Sequence, residues 1–134
     1  MSYAISYIAT GLTFLAMDAI WLTLMSGRFY KPQLGDMMAD KVNFKPAILF
    51  YLLYVLGIVV FAVLPALTSG LWTTSLALGA LFGLIAYSTY DLTNHATLRN
   101  WPAAVSVVDI AWGTCLTAVS ATAGLLITQA VTGG

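Results

Sequence analysis

No glutamate occurs in this chain, and its 134 residues include only five aspartates, five lysines and arginines, one histidine and one cysteine. Charged residues make up 7% of the sequence, where a water-soluble domain carries about a quarter. Hydrophobic residues make up 60% and the mean hydropathy is strongly positive, so the solvent for most of the chain must be lipid. A formal net charge of zero argues against a nucleic-acid partner. One cysteine, Cys115, excludes an intramolecular disulfide and reads as a small packing residue rather than a nucleophile. The sequence also lacks a Gly-rich phosphate loop, a His-rich box of the membrane di-iron kind, and a Ser-His-Asp set with its local signatures. Three aspartates and a histidine suit a hard divalent ion in principle, but without a paired-His or Cys framework no metal is expected, and no cofactor is indicated. The first 27 residues hold no Lys or Arg and Asp18 interrupts their apolar run, so no cleaved signal peptide is expected.

Four apolar stretches remain, at about 3–26, 46–66, 71–93 and 102–130, each able to cross a hydrocarbon core that takes about 20 helical residues. Pro46 and Pro102 fall where a helix tolerates proline, and Asn100 is a candidate cap. Residues 67–70 form a link short enough to require an antiparallel helical hairpin. Tyr3, Tyr7 and Trp72 would mark one membrane interface, and Phe29, Tyr30 and Trp101 the other. The fold class is therefore all-α, an integral membrane four-helix bundle in a single domain spanning 1–134. All five basic residues, Arg28, Lys31, Lys41, Lys45 and Arg99, fall in the loops 27–45 and 94–101. The positive-inside rule then puts both termini outside the cytoplasm. Within the longer loop, Leu34, Met37, Met38 and Val42 recur at helical spacing, opposite Asp36, Asp40 and Asn43. This predicts a short amphipathic helix over 33–44, lying on the inner leaflet.

Three aspartates lie inside the spans: Asp18, Asp91 and Asp109. With about 1.5 Å of rise per residue, Asp18 and Asp109 both fall about 11 Å below the cytoplasmic surface, facing one another, with Asp91 near the inner end of span three. Placing an aspartate at a helix centre costs about 2.5–3.5 kcal/mol, while hydrogen bonds between membrane helices return under about 1 kcal/mol on average. Three such costs in so short a chain favour a functional site over glue, with the carboxyls as candidate catalytic or proton-exchanging groups. An echo joins two of them, Met17-Asp18-Ala19-Ile20-Trp21 and Val108-Asp109-Ile110-Ala111-Trp112. Residues i and i+3 share a helix face, so each of Trp21 and Trp112 is expected to close its own aspartate from lipid. In span three, Gly79, Gly83, Tyr87, Asp91 and His95 make a stripe at steps of four, with Tyr90, Asn94 and Arg99 near its inner end. These supply the candidate ligand-binding wall. An aspartate near a helix C-terminus opposes the dipole, which makes His95 and Arg99 the expected partners of Asp91. Gly79, Gly83 and Gly113 offer close-packing faces for a second copy or a larger membrane protein.

The run Tyr90-Asp91-Leu92-Thr93-Asn94-His95-Ala96-Thr97-Leu98, followed by Trp101-Pro102, together with the two Asp-x-x-Trp units, resembles the DUF2177 family of bacterial predicted membrane proteins. The resemblance covers essentially the whole chain and carries no assigned activity or catalytic residue. Members look like genomic neighbours of cyclopropane-fatty-acid-synthase-like and flavin-dependent enzymes, which implies membrane-lipid modification or an envelope stress response. The leading expectation is a polar site in the cytoplasmic half that binds or modifies a lipid-like molecule, with membrane lipids as partners. A proton-coupled small transporter and a non-enzymatic accessory subunit are the alternatives, and whether the chain is an enzyme stays open.

Overall fold

The computed structural model describes residues 2–38 and 43–133. Four helical rods in it are long and apolar enough to cross a membrane. The first begins as α1 (Ser2–Met25), widens into a π turn (Ser26–Tyr30), and continues as α2 (Lys31–Leu34) and a 3-10 turn (Gly35–Met37). The second comprises α3 (Phe44–Ile58), a π turn (Val59–Val63) and α4 (Leu64–Ser69). The third and fourth are the unbroken helices α5 (Trp72–Thr97) and α6 (Ala103–Thr132).

Proline explains both π turns. Its ring clashes with the carbonyl four residues back and its nitrogen donates nothing, so the turn before it opens. In the first rod the Lys31 N–H reaches back to the Ser26 carbonyl just ahead of Pro32, and in the second the Leu64 N–H reaches Val59 just ahead of Pro65. Between the second and third rods the chain turns at Gly70, whose φ of +76° suits a residue without Cβ. Asn100 is not a side-chain cap; it takes φ +61° in the turn before Pro102, and α6 starts at Ala103.

α6 is the centre of the bundle, packed along its length on α5 and on its other side on α1. Small residues set these distances. A Cβ on Gly79 would lie 3.0 Å from Ala118 and Ala121, and one on Gly83 would overlap the Gly113 carbonyl. Gly113 in turn lies under the Tyr87 ring, and Gly124 under Thr10. Gly79, Gly83 and Gly113, whose small faces suit close packing, thus pack within the chain between α5 and α6. Phe14, Ile58, Val63, Leu116 and Leu125 are fully buried among the helices, while Leu12, Leu53, Phe61, Leu81 and Val107 are more than half exposed, as a lipid-facing exterior requires. Cys115 is on that exposed side of α6 rather than in the core.

The end of the bundle bearing Arg28, Lys31, Lys45 and Arg99 is called the basic end below. The helical segment expected over 33–44 is present there as Lys31–Leu34 and Gly35–Met37, continuous with α1 instead of standing apart from it. Leu34 and Met38 turn inward and pack with Trp21, Met25 and Phe29 around Tyr30, Trp101 and Val105, whereas Asp36 and Met37 are exposed. Asp40, Lys41 and Val42 lie outside the described residues.

Candidate functional site

Toward the basic end the four rods enclose a cavity of about 260 Å³, and Asp18, Asp91 and Asp109 all line it, with Trp21, Tyr30, Tyr51, Tyr87, Tyr90, Trp101 and Trp112 among its aromatic walls. The structure therefore gathers the three intramembrane carboxyls at one place. Their surroundings differ. Asp18, nearly buried, accepts the Tyr51 hydroxyl at 2.6 Å and the Trp112 indole N–H at 3.3 Å. Asp109 accepts the Tyr30 hydroxyl at 2.8 Å. Asp91 is fully buried and neither of its oxygens receives a hydrogen bond, although it shares the cavity wall with the carboxyl of Asp109. Two ionised carboxylates have no donor between them, so the pair stands without a mediating hydrogen unless a proton or a donor joins it.

The tryptophans exchange partners. Trp112 of α6 serves Asp18 of α1, and Trp21 of α1 turns toward Asp109 of α6, donating at 3.0 Å to the Tyr30 hydroxyl that Asp109 accepts. The two indoles stack at 4.3 Å and 6° between the helices. The expectation that each tryptophan closes its own aspartate is thus corrected. Sharing a helix face brings Asp and Trp near each other, but the indoles stack across the interface, where the Trp112 N–H reaches the aspartate of the other helix and the Trp21 N–H reaches Tyr30.

His95 and Arg99 do not partner Asp91. Both are exposed; the His95 ring lies 3.4 Å from Ser106 Oγ and faces a separate outer groove between α5 and α6. With Asn94, they stay outside the cavity lining. Tyr87 and Tyr90 line it and also frame a second opening of about 230 Å³ with Phe50, Ala86 and Asp109. That opening exists because the inner part of α3 leans on α1, and the second rod meets α5 mainly through its π turn.

Sequence reasoning missed Tyr30, Tyr51 and Trp101. Tyr30 and Trp101 read as interface aromatics, but the π turn before Pro32 carries Tyr30 over the site, where it is buried. The available signal was that proline. For Tyr51 and for Tyr54, which shares a 2.8 Å hydrogen bond with Thr117, the signal was a phenol in the apolar run 46–58, since a buried hydroxyl needs a partner.

The burial pattern sharpens the choice between glue and function. Asp18 has the bonds a purely structural aspartate would have. Asp91 has none, so its desolvation is offset by nothing among the described residues.

Four lipid-compatible rods around an acidic, aromatic-walled cavity define a multi-pass membrane protein with an intramembrane polar site. The chain belongs to the DUF2177 family, described as predicted membrane proteins, whose family model matches residues 3–126. No curated protein and no solved structure matches the chain.

Proposed function

We propose that this protein binds an amphipathic, lipid-like molecule drawn from the bilayer, and that Asp18 and Asp109 orient its polar head or exchange a proton with it. The observation that carries this reading is the second cavity beside Phe50, which shares Tyr87, Tyr90 and Asp109 with the acidic cavity; the exposed Phe50 at its rim supports entry from the hydrocarbon layer. Together the two spaces fall within the roughly 300–1,000 Å³ of small-molecule sites. With the basic end taken as cytoplasmic in an inner membrane, access is from the inner leaflet, and both termini lie on the far side.

The test is mass spectrometry of what copurifies in mild detergent, with Asp18→Asn and Asp109→Asn as variants. Asparagine keeps an acceptor for Tyr51, Trp112 or Tyr30, so both variants should remain within about 1 kcal/mol of the parent in stability. A lipid-like molecule should accompany the parent, and at least one variant should lose it along with the cellular phenotype. Absence of any bound molecule, with both variants fully active where a gene deletion fails, would refute the reading and leave the accessory-subunit alternative.

A transporter reading has one observation in its favour. Ser6, Thr10, Thr117, Ser120 and Thr128 are all buried between the helices away from the basic end, which extends polarity beyond the carboxyls. Against it, Phe14, fully buried in the apolar core cluster, comes one turn before Asp18 on α1, and small hydroxyl residues are also ordinary helix-packing residues in membranes.

A further inference from the structure

Asp91 has the largest unmet requirement in the described structure. Its side chain is fully buried in the cavity wall and free of any hydrogen bond at either oxygen. A second carboxyl, that of Asp109, lines the same cavity. Among the described residues no lysine, arginine or histidine lines the cavity, and the two basic groups next along α5, His95 and Arg99, are exposed. Asp18 and Asp109 are each met by neutral donors, Tyr51 with Trp112 and Tyr30 respectively, which bond an acid without cancelling its charge. A buried carboxylate is stable when paired with positive charge or when it takes up a proton. Among the described residues the cavity wall offers no positive charge, so the complement is either a proton or a cation that enters.

Building on the lipid-like-ligand reading above, we propose that the head group this cavity receives is a protonated amine on an alkyl chain, with the ammonium between Asp91 and Asp109 and the chain leaving past Phe50. An ammonium brings three donors and no acceptor, which suits two facing carboxyls. Aromatic faces accept cations as well as apolar carbons, and the stacked Trp21–Trp112 pair supplies such a wall. A carboxylate or sulfate head would instead set a third or fourth negative charge beside the existing acids.

The experiment compares ligands that share a chain and differ in the head: dodecylamine, dodecanol, dodecanoate and a lysophosphatidylethanolamine. Each is titrated into the full-length protein in a neutral detergent, with intrinsic tryptophan fluorescence and thermal stability as readouts. Hydrogen bonds to charged groups predict that dodecylamine binds about tenfold or more tightly than dodecanol. Asp91→Asn should bring dodecylamine affinity down to the level of dodecanol measured on the same variant, and Asp109→Asn should reduce the advantage. The lysolipid distinguishes two sources of the same chemistry: affinity matching the amine assigns a lipid headgroup, and affinity no better than the alcohol assigns a free long-chain amine. Equal binding of amine and alcohol by the parent protein would overturn the proposal, because a proton shared by Asp91 and Asp109 would then already meet their requirement. Preference for dodecanoate would overturn it too. Failure of every chain to bind would refute the lipid-site reading itself, so the two failures are distinguishable. The amine-to-alcohol ratio of the parent protein decides the matter even if Asp91→Asn does not fold.

Discussion

Replacing Gly83 by alanine should separate α5 from α6, and the structure sets the size of the effect. The added Cβ would overlap the Gly113 carbonyl and lie 2.8 Å from Thr117. One of these neighbours is backbone on a packed helix, so relief requires the helices to move. Overpacking of this kind costs about 1–3 kcal/mol. Two other glycines serve as controls. At Gly27 a Cβ meets nothing within 4 Å, and at Gly57 it meets Phe82 Cζ at 2.7 Å, the free end of a ring that can shift. Alanine is also the better helix former by about 1 kcal/mol, so Gly27→Ala should be neutral or slightly stabilising, Gly57→Ala intermediate, and Gly83→Ala destabilised relative to Gly27→Ala by about 2 kcal/mol. That difference is roughly 30-fold in the unfolding equilibrium, readable by titration from mild detergent into sodium dodecyl sulfate with tryptophan fluorescence as the probe. If Gly83→Ala unfolds with Gly27→Ala, the close α5–α6 contact does not exist. If it keeps full monomer stability but changes oligomeric state, the glycine stripe faces another molecule, and the internal assignment is wrong.

Two further outcomes are expected. A reporter fused after residue 134 should behave as exported, because no basic residue anchors either terminus; a cytoplasmic readout there would invert the orientation and move the proposed access to the other leaflet. Tyr30→Phe removes the hydroxyl between Trp21 and Asp109, so it should cost about 1 kcal/mol or less of stability yet weaken ligand retention, and unchanged retention would show that Asp109 needs no positioning from α1.

The four rods were legible because lipid imposes a length and an apolar composition that no other solvent demands. That Asp18, Asp91 and Asp109 share one region was legible for a related reason, since an aspartate inside such a run is costly enough to stand out. Which residues touch it was harder to read. Lone prolines at 32 and 65 decide where the helices widen, and the first of these turns brings in Tyr30; spacing arguments that assume an ideal helix miss such a shift. The stripe of Gly79 and Gly83 announced a close contact without saying whether the partner was internal, because a small-residue face is equally suited to either.

The two Asp-x-x-Trp units show how far a local pattern reaches. On antiparallel helices, equal motifs whose rings meet at the interface each offer an indole N–H to the acid of the other, and Trp112 with Asp18 realises this directly. The reciprocal contact is not direct: Tyr30 stands between Trp21 and Asp109, and Asp109 alone of the pair lies beside the unbonded Asp91. The pattern in the sequence is symmetric and the site is not. One side holds an acid fixed by two donors; the other holds an acid with one donor and a bare neighbour, and that acid also lines the second cavity beside Phe50. The asymmetry therefore separates an acid whose two oxygens the fold already satisfies, Asp18, from Asp109 and Asp91, whose oxygens the described residues leave partly or wholly unbonded.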